Sequence, residues 1–403
     1  MNLRFRKAKD RADALGQVWT PPAIASYLVD SLPHRSKSVL DLGAGAGALT
    51  LAAAQRCPAA SMQCLEIDAT TANALADKLK GKRHTVRRMD ILTRQFDDHM
   101  KDMADLSGII ANPAFSQLKR SPRFSPRLLE DIYHDNPAPK WVAADFAFLI
   151  QAWSALPLGG QLCIILTYPL IAGPEYQRLR HLLTHGLKNL IVTTLPPRCF
   201  SNVEVQTFTL TGTRSTTGSR HVTLRRIDAN ATITNELAIR RDDAIDRMDF
   251  AFHALSEELR PGAEKLVGTL ADLSPEITRG SFSKKEFESR SLDAFHTTHF
   301  GTHGPRVKFG NLDHGALRTA RKHDVLVPRV GSRCLLHQAM VVSGHGLYTD
   351  CVLRIRVPQH ASERVWRTLR SEVGQSWRLQ VAKGTCAQYI TIPDLLAMPL
   401  LAA

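Results

Sequence analysis

The run VLDLGAGAGALT at 39–50 constrains this chain more than any other stretch. Residues 39–42 are a short apolar segment of strand type, and 48–56 read as an Ala/Leu-rich helix. Between them Gly43, Gly45 and Gly47 let the backbone turn tightly and approach a ligand without Cβ interference. Strand, glycine turn and helix in this order open a nucleotide-binding α/β unit. Glu66 ends the next strand-like run, where a carboxylate can hold a ribose diol. Counted from Gly43, the run also fits GxGxxG/A with Ala48 in the last place. The turn alone therefore allows a dinucleotide or another adenosine cofactor.

Strand and helix patterns continue to alternate along the first half. Strands are expected at 62–68, 85–90 and 108–111, with a helix over 70–80 that Thr70 would cap. A polar stretch at 116–139, rich in Pro, Arg and Lys, precedes a helix over 141–156 and a strong strand at 161–167. A helix at 175–183 and strands at 190–194 and 205–212 follow. This alternation implies a parallel, doubly wound α/β sheet. The two closing strands have no helix between them, which implies an antiparallel hairpin at one edge. The expected domains are 1–215, a linker or edge segment at 216–245, and an α+β domain at 246–403.

Charge narrows the partners. Lys and Arg number 52 against 38 Asp and Glu, a net charge of +14, which favours a polyanion: nucleic acid or an anionic membrane. The uncharged run 146–174 is long enough to span a bilayer, but Pro157, Gly159, Gly160 and Pro169 break it. It reads as a buried helix, a turn and a buried strand, so no membrane partner is expected. The N-terminal segment is basic and lacks the apolar stretch of a signal peptide. Seven cysteines are scattered without a CxxC pair, which points to a reduced, cytoplasmic protein without a disulfide framework. His296, His299 and His303 lack a fourth ligand, and no metal is expected.

Four further features appear in a fixed order. ALGQVWTPPAIASYLVD at 14–30 precedes the glycine turn, Asp41 opens that turn as DxGxGxG, Asp90 ends the third strand, and ANPAF at 111–115 ends the fourth. In this order they resemble the gamma-class adenine-N6 DNA methyltransferases of restriction-modification systems. The resemblance implies the class I S-adenosylmethionine-dependent methyltransferase fold, a Rossmann-like sheet, with S-adenosylmethionine as cofactor. It places Trp19, Thr20 and Pro21 at the methionine moiety, with Asp41 facing its amino group. Gly43, Gly45 and Gly47 would cradle the cofactor, Glu66 would hold the ribose, Asp90 the adenine, and Asn112 would join that wall.

The same resemblance assigns the chemistry. NPAF is similar to the (D/N/S)PP(Y/F/W) motif of methyltransferases that act on exocyclic amines. The amine lone pair is delocalised into its ring. Asn112 and the Pro113 carbonyl would each accept one of its N–H bonds and localise that pair, while Phe115 would stack on the ring. Ala114 stands where the family has a second proline. The stretches 143–171 and 195–212 resemble later motifs of the family and bring in Asp145, Phe146 and Phe200 for cofactor or flipped base. Core packing is the competing role for both aromatics.

The implied partner is double-stranded DNA with one base turned out, since a paired amine cannot enter such a site. Lys119, Arg120, Arg123 and Arg127 in the polar stretch are candidates for backbone phosphates. The part from 246 onward resembles a target-recognition domain of type I restriction specificity subunits, through DRMDFAFHA, LADLSPEITRG, HDVLVPRVGSR and YTDCVLRIRVP. There Lys284, Lys285, Arg318, Arg321, Lys322, Arg329 and Arg333 are the candidate contacts. The protein would be of bacterial, phage or plasmid origin, a homodimer or a subunit of a restriction or defence system. The alternatives are an RNA adenine-N6 or DNA cytosine-N4 methyltransferase, or a catalytically weak DNA-binding component.

Overall fold

The computed structural model describes residues 19–402, apart from 81–82, 102, 104, 120–140, 201–204, 259–265, 302–304, 312–314, 316, 332–333 and 384–387. The chain divides into two compact units, Met1–Phe250 and Ala251–Ala403. Among the described residues, no helix is long and apolar enough to cross a membrane.

The first unit is built on β1 (Ser38–Leu42), β2 (Ser61–Glu66), β3 (Thr85–Arg88) and β4 (Leu106–Ala111). β5 (Gln117–Lys119) and β6 (Trp141–Ala143) pair as a separate antiparallel ribbon. β7 (Gln161–Thr167), β8 (Leu187–Thr194), β9 (Thr207–Arg214), β10 (His221–Ile227) and β11 (Ile233–Arg240) complete a nine-stranded sheet of order β11-β10-β8-β9-β7-β4-β1-β2-β3. β1 and β7 are buried at every residue, the continuous apolar pattern of strands covered on both faces. In the parallel register Asp41 lies opposite Cys64 on β2 and Ile110 on β4. The carboxyl ends of the three strands therefore share one edge, where an open α/β sheet binds its ligands.

The antiparallel strand is internal rather than marginal. β9 runs between β7 and β8, antiparallel to both. The sheet then continues into 216–245, which forms β10, parallel to β8, and β11 at the edge. The segment expected as a linker or edge thus supplies two strands of the first unit, and the edge hairpin is β10–β11.

The helices are α1 (Pro22–Val29), α2 (Ala48–Arg56), α3 (Ala69–Leu79), α4 (Arg94–Lys101), α5 (Ala144–Ala155), α6 (Tyr168–Ala172), α7 (Gln177–Gly186) and α8 (Arg241–Asp246). Pro22 opens α1, where its missing N–H costs nothing, and Ile24, Ala25, Leu28 and Val29 form the buried face. Asp68, not Thr70, caps α3: its Oδ1 accepts the Thr71 N–H at 2.8 Å. The sequence pattern missed α4 because only Phe96 of its eight residues is buried. Residues 141–143 belong to β6, and the helix expected from 141 begins at Ala144. Arg180 is 1% exposed and donates to the carbonyls of Leu170, Gly173, Ile245 and Asp246, tying α7 to α6 and α8. Burial pulls its guanidinium down to about 10.

The second unit holds a short ribbon of β12 (Leu266–Thr269) and β20 (Pro399–Leu401), and a seven-stranded mixed sheet. The sheet consists of β13 (Glu276–Arg279), β14 (Ala294–Phe295), β15 (Arg306–Asn311), β16 (Thr319–Arg321), β17 (Val325–Pro328), β18 (Ala339–Tyr348) and β19 (Val352–Arg356). Val325, Val327, Leu353 and Ile355 pack on Val365, Trp366, Leu369 and Trp377 of α9 (Gln359–Arg370) and α10 (Glu372–Val381). Leu326 and Val352, alternating with these, join Phe295, Val341 and Tyr348 in a second cluster. This is the α+β arrangement expected of the region.

Candidate active site

The glycine turn is left-handed three times, with φ of +71° at Gly43, +52° at Gly45 and +88° at Gly47. No L side chain adopts these angles without strain. Gly47 also precedes the first turn of α2, and a Cβ there would run into the Leu75 side chain. Glu66 anchors the turn from the adjacent strand. Its Oε2 accepts the Gly45 N–H at 2.8 Å and its Oε1 the Asp68 N–H at 2.9 Å.

Asp41 lies under the turn, 1% exposed. Its Oδ2 accepts the Thr50 hydroxyl at 2.6 Å. Its Oδ1 is buried with no hydrogen-bond partner among the described residues. Burial raises the Asp41 carboxyl to about 7; the Thr50 bond opposes the rise and the Glu66 charge adds to it. Thr50 went unnoticed in the sequence, although it stands in the first turn of α2, directly above the strand end.

Asp41, Gly43, Gly45 and Glu66 wall one pocket, together with Trp19, Thr20, Met89, Asp90, Ile91, Leu92, Asn112, Ala114, Ser116, Leu118 and Phe148; Gly47 stays behind the turn, facing Leu75. Trp19 is 48% exposed, and its ring lies over Gly45. Asp90 accepts the Leu92 N–H at 3.0 Å and stays partly open. The Asn112 amide donates to the Thr20 hydroxyl at 2.8 Å, so residues 92 positions apart in sequence meet on the pocket wall. Pro21 instead caps α1, its carbonyl accepting the Ala25 N–H.

The expected aromatics are placed differently. Phe115 and Phe200 are 3% and 2% exposed and pack edge to face, their centroids 5.7 Å apart, within the main core cluster. Phe146 is fully buried and packs on Tyr176. None of the three lines the pocket; the ring that α5 turns into it is Phe148. Helix geometry accounts for the change, since Phe146 and Phe148 lie about 200° apart around the helix axis. Pro113 is buried behind the wall that Asn112 and Ala114 form. Asp145 is also buried, and its Oδ2 accepts the N–H and hydroxyl of Thr167 at 2.9 and 2.7 Å. Burial raises its carboxyl, and those bonds oppose the rise.

Among the cations, Lys119 is exposed at the end of β5, whereas Arg120, Arg123, Arg127 and Arg333 lie outside the described residues. Arg329 is half-buried and donates its Nε to the Asp350 carbonyl at 2.8 Å, a bond that helps to hold the loop at Asp350. No group of three or more His, Cys, Asp or Glu among the described residues could hold a metal ion.

Residues 23–131 match the family model of the methyltransferase small domain. No curated protein matches the chain. Among solved structures, the type IIG restriction endonuclease BpuSI is similar with a TM-score of 0.52 and 11% identity over 94% of this chain and 57% of its own. The methyltransferase subunit of a type I restriction-modification system from Streptococcus thermophilus is 22% identical over 59% of this chain and 53% of its own, with a TM-score of 0.45. The M protein of the type I restriction enzyme EcoKI is 14% identical over 68% and 61%, with a TM-score of 0.39. The chain spans about half the length of such structures. The match to the methyltransferase small domain thus falls on the part of the first unit that carries β1 to β4 and the glycine turn of its open α/β sheet.

Proposed function

We propose that this protein transfers the methyl group of S-adenosylmethionine to the N6 amine of an adenine turned out of duplex DNA, within a restriction-modification or defence system. The observation that carries the reading is the Asn112–Thr20 hydrogen bond, which holds Asn112 on the wall of the glycine-turn pocket. The residues present fit the cofactor. The buried Asp41 Oδ1 suits a cationic amino group, Glu66 suits a ribose diol, and Asp90 suits an adenine amine. A Cβ at Gly43 would run into the Phe148 ring on the pocket wall, so glycine keeps that side open.

Bound S-adenosylmethionine supplies an electrophilic methyl group on sulfur. The rest is positioning by this chain. The amide nitrogen of Asn112 is engaged by Thr20, which sets the amide plane so that its oxygen serves as acceptor. An aryl N–H donated to that oxygen localises the nitrogen lone pair. The proton leaves after methyl transfer, when the nitrogen is cationic and acidic enough for water to take it. The α+β unit, the positive charge and the resemblance to target-recognition domains support DNA as substrate.

The test is labelled methyl transfer from S-adenosylmethionine to mixed-sequence duplex DNA, followed by digestion to nucleosides. N6-methyladenine is expected. Asn112→Ala is expected to lower transfer by about 10²–10³-fold, the usual cost of one positioned hydrogen-bonding group, with DNA affinity nearly unchanged. Label in cytosine or RNA would redirect the reading, and DNA binding without any transfer would favour a binding component.

A further inference from the structure

Two grooves in the second unit meet at Arg306, which lines both. One is bordered by Lys308, His299 and His345, the other by Arg367 and Arg370. Strand alternation explains the first. Val307 is buried and Phe309 half-buried, so Arg306 and Lys308 project from the outer face of β15 about 7 Å apart. A Cβ at Gly346 of β18 would run into the Phe309 ring, so glycine keeps the floor of this groove low. Helix spacing explains the second, because Arg367 and Arg370 are three residues apart on the exposed face of α9.

Several cations of the unit are already neutralised. Arg279, Arg354, Arg356 and Lys383 each hold a carboxylate. Among the described residues, Arg306, Lys308, Arg367 and Arg370 form no ion pair, although Asp293 and Glu363 border the two grooves. A cation with no carboxylate to surrender is ready to take a phosphate, and each one engaged releases a counterion.

We infer that the two grooves form one track for the sugar–phosphate backbone of duplex DNA, with Arg306 at their junction. The inference rests on the reading of the protein as a DNA methyltransferase and adds the surface that grips the duplex. These contacts position the duplex and carry no sequence information.

The test uses the full chain and a fluorescent mixed-sequence duplex, with affinity measured across a salt series. Arg306→Gln/Lys308→Gln and Arg367→Gln/Arg370→Gln are each expected to bind about tenfold more weakly and to lower the slope of log affinity against log salt by about 1.8, two phosphate contacts' worth. Lys188→Gln/Arg220→Gln, at the amino ends of the strands in the first unit, is the control and is expected to leave the slope alone. Circular dichroism of each variant checks folding, and these exposed side chains are expected to change it little. Wild-type binding with slopes unchanged in both groove variants overturns the track and leaves the methyltransferase reading standing. Loss equal to that of the control, or duplex RNA competing as well as DNA, also overturns the track. Failure of the wild type to bind any duplex overturns both.

Discussion

Asp41 carries the sharpest chemical consequence at the residue scale. Its carboxyl is raised to about 7 from an ordinary value of 3.8, first by burial. A raised acid holds its proton in the folded protein where the unfolded chain has lost it, so it costs stability as pH rises from 3.8 to 7. Binding of a cationic amino group needs the ionised form. Affinity for S-adenosylmethionine is therefore expected to rise by up to about tenfold per pH unit below 7 and to level off above it. Calorimetric titrations between pH 5.5 and 8.5 check this, and Asp41→Asn is expected to flatten the profile. Motif spacing made Asp41, Glu66 and Asn112 legible in the sequence, because each ends a strand of a parallel sheet. Thr50 and Phe148 were not legible: their roles come from the helix face they occupy over the strand ends. Phe115 and Phe200 show the converse, since an aromatic beside a motif also satisfies the core.

At the scale of elements, legibility followed burial. β1 and β7 fell where apolar runs put them, because segments buried throughout need no partner to declare their pattern. The ribbon of β5 and β6 is three residues a side and exists only by pairing, so no local period announces it. Arg180 belongs to this scale as well, since one side chain closes the ends of three helices. Arg180→Met would strand the buried carbonyls of Leu170 and Gly173 and free those of Ile245 and Asp246, and is expected to lower stability by roughly 3 kcal/mol. Urea unfolding measures this as a lower midpoint at an unchanged slope. An unaltered midpoint would mean that water replaces the guanidinium.

At the scale of the molecule, the net charge of +14 is spread over both units. Residues 251–403 hold twenty Lys and Arg against fourteen Asp and Glu. DNA affinity of the full chain is accordingly expected to fall by at least about tenfold between 50 and 200 mM salt. An affinity independent of salt would separate the charge from nucleic acid. Residues 216–245 read in the sequence as a linker or edge segment because β10 and β11 are polar on one face and follow a turn-rich stretch, the same pattern a linker shows. Only pairing in the sheet distinguishes them.

The ribbon has a consequence for the pocket wall. Ser116 and Ala144 flank its two strands and both line the pocket. The Ala144 N–H donates to the Ser116 carbonyl at 2.9 Å, one rung beyond the pairing of Gln117 with Ala143. The ribbon therefore works as a clasp: it draws the end of the Asn-Pro stretch and the start of α5 together, so one side of the wall is set by the register of two three-residue strands.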